Sequence, residues 1–195
     1  MKTEIEVKFL NVDIDDICQR LTKLGAQLEQ PMRLMKRALI ETDEMKQRNG
    51  YLRIRDEGDK VTATYKQFTE NSLTGASERE IVVSDFEETI AIFEEFGLHY
   101  YTFQESKRET WKLGDAEVVI DEWPWIPPYI EIEGDSELIV TDAAKLLGFD
   151  WADGVFGSVD VIYNKEFPSM TVRGVIDIAE VRFGAPVPEQ FGARA

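Results

Sequence analysis

Glu4, Glu6 and Lys8 occupy alternate positions near the start of the chain, with Ile5, Val7 and Phe9 between them. The same spacing returns in Arg53-Ile54-Arg55, in Glu78-Arg79-Glu80 and in Glu131-Ile132-Glu133, while Lys66, Arg108 and Asp121 lie in further alternating runs. A period of two puts these charges on one side of a β-strand and the apolar residues on the other. Carboxylates in such number suit a hard divalent cation, and Mg²⁺ is commonly shared between a few carboxylates and the phosphates of a substrate. Arginine, a planar fork, and lysine, a compact charge, suit the phosphates themselves. The chemistry these residues could perform together is that of a metal-triphosphate site.

Taken singly, each motif also fits a solvated strand face, because half-buried antiparallel strands alternate apolar in and polar out. Two features argue for the opposite orientation. Like charges set side by side in several strands are mildly destabilising and gain nothing from water alone. The helices also need an apolar surface, which Ile5, Val7, Ile54, Ile81, Ile130 and Ile132 offer. If those residues meet helices outside a closed sheet, the charges line its interior, and an eight-stranded barrel has room for a small ligand. Such a lumen would place Glu4, Glu6, Glu78, Glu80, Asp121, Glu131 and Glu133 opposite Lys8, Arg53, Arg55, Lys66 and Arg108. Unpaired buried charges are costly, so a bound cation and anion are expected to neutralise it.

The elements that must hold these residues follow from periodicity. Apolar stripes predict helices over 13–24, 85–96 and 136–147, with Asp13 and Asp85 as N-caps and Gly25, Gly97 and Gly148 as stops. Alternation predicts strands near 3–10, 36–42, 50–56, 60–67, 77–83, 105–113, 116–122, 128–133 and 158–165. Asp56-Glu57-Gly58-Asp59 and Gly114-Asp115 read as hairpin turns, Asn71 to Gly75 as an exposed loop, and Trp123 to Pro128 as a rigid connection. The fold class is therefore α+β: a closed eight-stranded antiparallel β-barrel with amphipathic helices packed outside. Residues 1–167 form the expected tunnel domain and 168–195, rich in Pro and Gly, a loosely structured tail.

A chain of 195 residues with 31% charged residues fits one globular domain, and no apolar run reaches the length of a membrane helix. A cytoplasmic location is the default expectation. Cys18 is the only cysteine, which excludes an internal disulfide and a thiolate metal cluster, so any metal is held by oxygen. The formal charge of −16 argues against nucleic-acid binding while permitting a small polyanion in an enclosed basic region. Cys18 reads as structural, and the single histidine, His99, as a packing or surface residue. Trp123, Trp125 and Tyr129 read as a packed loop, with stacking on a nucleobase or thiamine ring as the functional alternative.

Taken in order, Glu4-x-Glu6-x-Lys8, Arg53-x-Arg55, Lys66, Glu78 or Glu80, Arg108, Asp121 and Glu131-x-Glu133 resemble the signature of the CYTH superfamily, the triphosphate tunnel metalloenzymes. The resemblance spans roughly residues 1–165. It implies a tunnel in which Glu4, Glu6, Glu131 and Glu133 hold Mg²⁺ or Mn²⁺, with Asp121 and Glu80 supporting the metal or orienting water. It implies phosphate binding by Lys8, Arg53, Arg55, Lys66 and Arg108, joined by Lys165. Where many members have Lys-x-Arg, this chain has Ser106-Lys107-Arg108. The activity expected is a metal-dependent triphosphatase acting on inorganic triphosphate or a nucleoside or thiamine triphosphate. A class IV adenylate cyclase and a non-catalytic triphosphate or polyphosphate sensor are the alternatives. The expected partner is a triphosphate-containing small molecule, with no membrane, for a monomer or homodimer.

Overall fold

The computed structural model of the chain describes residues 5–68, 76–172 and 174–194. Its framework is eight strands: β1 (Ile5–Leu10), β2 (Gln27–Ile40), β3 (Gly50–Asp56), β4 (Val61–Phe68), β5 (Ala76–Val83), β6 (Tyr100–Leu113), β7 (Ala116–Glu122) and β8 (Tyr129–Gly134). They pair antiparallel in the order β1-β8-β7-β6-β2-β3-β4-β5. Among the described residues no hydrogen-bonded ladder joins the two ends of that path, β1 and β5. The expected strand order along the chain and both hairpin turns are observed, and the fold is α+β. Asn71 to Gly75 lies outside the described residues.

The alternation of the sequence becomes a division between two faces. On the outer face Val7, Ile120, Ile130 and Ile132 are fully buried beneath α1 (Ile14–Lys23) and α4 (Glu137–Leu146), which contribute Ile17, Leu21, Val140 and Ala144. A second apolar patch forms where Ala38, Ile40 and Ile54 meet Phe86 of α3 (Phe86–Glu95). Asp13 and Asp85 cap α1 and α3 by accepting from the amides of Asp16 at 2.9 Å and Glu88 at 2.8 Å. Gly25 and Gly97 follow these helices at φ 75°, the left-handed stop that a residue with a Cβ adopts at a cost. Ile81 departs from expectation: it is 64% exposed, because α3 packs over Ile54 of β3 and leaves β5, the last strand of the path, uncovered.

Other differences have local causes. β2 begins at Gln27, well before the predicted start, since Pro31 and register shifts between Leu28 and Arg33 break the period of two there. A five-residue helix, α2 (Asp43–Gln47), capped by Thr42, carries no buried stripe and so no sequence signal. The strand predicted over 158–165 is instead a helix, α5 (Val159–Glu166). Its β-branched residues mimic a strand, but the buried ones, Ile162, Tyr163 and then Phe167, fall at helical spacing.

The segment beyond Phe167, expected to be loose, is packed. Val175, Ile178, Val181 and Phe191 join Trp123, Ile126, Tyr163 and Phe167 in a further core, and Phe191 is fully buried. A short strand, β9 (Glu180–Val181), runs parallel to β6, and the Thr102 hydroxyl donates to the Ile178 carbonyl at 2.6 Å. Val175 and Phe191 sit in 3-10 turns at Val175–Asp177 and Glu189–Phe191, Ile178 follows the first turn and Val181 lies in the two-residue β9, so there is no long period to read. No helix among the described residues is long and apolar enough to cross a membrane.

Candidate active site

The inner face of the sheet lines a cavity of ≈ 530 Å³ to which all eight strands contribute, within the roughly 300–1,000 Å³ typical of small-molecule sites. Glu6, Lys8, Arg53, Arg55, Lys66, Glu78, Glu80, Arg108, Glu131 and Glu133 line it, as their alternation predicts. Glu78 and Glu80 both line the cavity, since residues two apart share a strand face. Glu4 lies outside the described residues.

Register explains how the carboxylates meet. β1 and β8 place Glu6 opposite Glu133 and Lys8 opposite Glu131. Candidate ligand oxygens of Glu6, Glu131 and Glu133 lie within 4.8 Å of one another, a grouping that could hold a metal ion. Lys8, almost fully buried, reaches Glu6 and Glu131, each at 2.7 Å. Burial works to lower its pKa, but Glu131 and then Glu6 outweigh it and hold the ammonium charged. Burial likewise works to raise Glu131, yet a hydrogen bond with Glu133, then Lys8 and Arg108, bring it down to about 2. That hydrogen bond, burial and the Glu131 charge push Glu133 up to about 9. Without a cation, therefore, Glu133 keeps its proton and donates it to Glu131, because two carboxylates this close do not both ionise.

The cationic side is built from neighbouring strands. Asp121 accepts from Arg108 Nε at 2.8 Å and Nη2 at 2.6 Å, a bidentate pair that consumes both carboxylate oxygens. Burial works against the Arg108 charge, but Asp121 raises its pKa well above the ordinary value. Asp121 thus belongs to Arg108 rather than to the carboxylate trio. Lys66 pairs with Glu78 at 2.7 Å, and Glu80 accepts from the Thr64 hydroxyl at 2.7 Å. Arg55 contacts Glu57, a buried carboxylate of the hairpin turn; burial and then Arg53 lower the pKa of Arg55. Lys165 does not join them: it is exposed on α5, whose helical turn buries Ile162 and Tyr163 and points this residue to solvent.

The period of two could also have revealed lining residues that were not singled out. Glu117 lies four residues before Asp121 on the same face of β7, and opposite Glu133. Arg37 lies between Met35 and Leu39 on β2, opposite Arg55 and Gln104. It had no charged neighbour two residues away to mark it. Burial, then Arg53, Arg55 and Arg108, bring its pKa down to about 9. The Nε atoms of Arg37, Arg53 and Arg55 are buried without a hydrogen-bond partner among the described residues. Buried donors of this kind are rare unless something absent satisfies them.

At one end, Trp123, Val159, Val175 and Ile176 form part of the cavity wall. The loop from Trp123 to Pro128 is packed as expected: Trp125 donates to the Ala185 carbonyl at 2.7 Å and meets the Phe191 ring edge-on at 5.6 Å.

The family model for the CYTH domain matches residues 2–150. No curated protein matches the chain. A conserved hypothetical protein from Pyrococcus furiosus has a similar fold, with TM-score 0.63 and 22% identity, covering 78% of this chain and 95% of that one. A protein from Pyrococcus horikoshii OT3 gives 0.62 and 25%, covering 78% and 94%. The HpAC1 protein of Hippeastrum, an adenylyl cyclase candidate with a dominant triphosphatase activity, gives 0.52 and 14%, covering 76% and 89%.

Proposed function

The chain belongs to the CYTH family, and from that premise we propose that it is a divalent-metal-dependent hydrolase of inorganic triphosphate or of a nucleoside or thiamine triphosphate. One observation carries the reading: a single cavity joins three carboxylates with ligand oxygens within 4.8 Å to guanidiniums whose buried Nε donors lack partners among the described residues. The donor set fits Mg²⁺ or Mn²⁺, hard cations that take carboxylate oxygen. Glu6, Glu131 and Glu133 would hold it. When bound, the cation supplies charge neutralisation and polarises a phosphoryl oxygen.

The residues of the chain do the rest. Lys8, Arg53, Arg55, Lys66 and Arg108 neutralise and align the phosphates, which is most of what phosphoryl transfer requires of a protein. Asp121 fixes the Arg108 fork in direction. Glu80, steadied by Thr64, orients water toward the terminal phosphorus. Attack forms a new P–O bond as the bond to the bridging oxygen breaks, so triphosphate and water become diphosphate and orthophosphate. The lining of one cavity by all eight strands supports closure of the sheet around it as a barrel.

Incubation with Mg²⁺ and, separately, inorganic triphosphate, ATP and thiamine triphosphate, followed by chromatography of the products, tests the reading. Orthophosphate release supports it. Cyclic AMP and pyrophosphate from ATP would establish the cyclase instead. Tight triphosphate binding without turnover would establish the sensor.

A further inference from the structure

Arg37 is the guanidinium the foregoing reading does not use. It is half-buried on β2, with its Nε shielded from solvent, directly opposite Arg55 in the β2-β3 register, where like charges repel. Its Nη2 donates to the Ser106 hydroxyl at 3.1 Å, and its plane lies over Trp123 at 4.6 Å from the ring centroid. Among the described residues neither Arg37 nor Arg53 has a carboxylate in ion-pair range; Asp121 is taken by Arg108, and Glu57 contacts Arg55. The indole and the hydroxyl orient the guanidinium but do not neutralise it.

We propose that Arg37, with Arg53 and Arg55, forms a cradle for one terminal phosphoryl group of the substrate, at the Trp123 end of the cavity. The inference rests on the triphosphate reading and deepens it. A terminal phosphoryl carries three non-bridging oxygens and up to two negative charges, whereas an internal one carries two oxygens and one charge. Arg37 and Arg53, two guanidiniums without a carboxylate in ion-pair range, match the two charges of the terminal group and exceed the one charge of the internal group, and the three buried Nε donors lack acceptors of their own. Trp123 holds the Arg37 plane by cation-π contact, which keeps the fork in place beside Arg55. The same contact occupies one face of the Trp123 indole.

A structural role for Arg37 and an anion-binding role predict opposite signs of one observable. If Arg37 only packs against Trp123 and Ser106, Arg37→Met lowers the thermal midpoint of the ligand-free protein. If it awaits an anion, removing an unneutralised, half-buried charge that Arg53, Arg55 and Arg108 repel raises that midpoint. Binding is read by calorimetry with Mg²⁺, using hydrolysis-resistant diimidotriphosphate and, separately, orthophosphate, with Arg55→Gln as a second variant. The expected result is a higher midpoint and affinities weakened at least about tenfold for both probes in Arg37→Met, partly recovered in Arg37→Lys. Wild-type affinity in Arg37→Met beside weakened binding in Arg55→Gln would overturn the inference alone, as would a lowered midpoint. Loss of diimidotriphosphate affinity with orthophosphate unaffected would overturn the terminal assignment. Wild-type protein that binds neither probe would overturn the triphosphate reading and this inference with it.

Discussion

Asp121 gives both oxygens of its carboxylate to one guanidinium, that of Arg108, at 2.8 and 2.6 Å. Fixed in this way, Arg108 also comes within 4.0 Å of Glu131, and so stands between the cationic cluster and the carboxylate trio. Asp121→Asn keeps the shape but removes the charge and one acceptor. Turnover should fall about a hundredfold, the scale of a small misplacement in a preorganised site, while Mg²⁺ affinity stays close to wild type. Steady-state kinetics beside Mg²⁺ titration checks this. Equal losses in both would return Asp121 to the metal shell.

The shared proton of Glu131 and Glu133 gives the metal-free protein a characteristic pH dependence. Glu133 has a folded pKa of about 9, above its ordinary 4.5, so its contribution to stability is complete below 4.5 and is lost as pH rises through about 9. Glu131 has the opposite shift, to about 2, and its contribution is lost only as pH falls from 4.5 through about 2. The thermal midpoint without metal should therefore decline between about pH 5 and pH 9. Glu133→Gln should flatten that decline. Mg²⁺ binding near neutral pH should expel the proton, which calorimetry in buffers of different ionisation enthalpy would detect.

Phe191 is fully buried against Tyr163, Phe167 and Trp125, with ring centroids 5.0 to 5.6 Å away. Phe191→Ala should cost about 3–5 kcal/mol of stability, the usual scale for deleting a buried aromatic ring. Denaturant unfolding measures it. A cost below about 1 kcal/mol would mean that the terminal segment is as loosely attached as its Pro and Gly content suggests.

Much of the sheet and its inner face was legible because one rule, the period of two, governs both. Val7, Ile130 and Ile132 had to find cover, and once they met α1 and α4, Glu6, Lys8, Glu131 and Glu133 turned inward together. The pairing of those residues was not legible, since register depends on which strands become neighbours. β1 against β8, the first and last of the eight, brings Lys8 to Glu131 across most of the chain. Arg37 escaped notice because, although Lys36 stands beside it, it lacks the i, i+2 charged partner that marked the others. α5 was misread because Val159, Val161 and Ile162 have strand propensity while the surface they bury is helical. The packing of Val175, Ile178 and Phe191 had no periodic signature, because each docks from an irregular segment onto surface built elsewhere.

The most direct test of the central claim is orthophosphate release from inorganic triphosphate, followed by phosphorus NMR with Mg²⁺ or with chelator. Wild-type protein and the Glu131→Gln Glu133→Gln variant would be compared, each first shown to be folded. Metal-dependent conversion of triphosphate to diphosphate and orthophosphate by the wild type alone is the predicted result. Equal release by the folded variant, or release undiminished by chelator, would contradict the account.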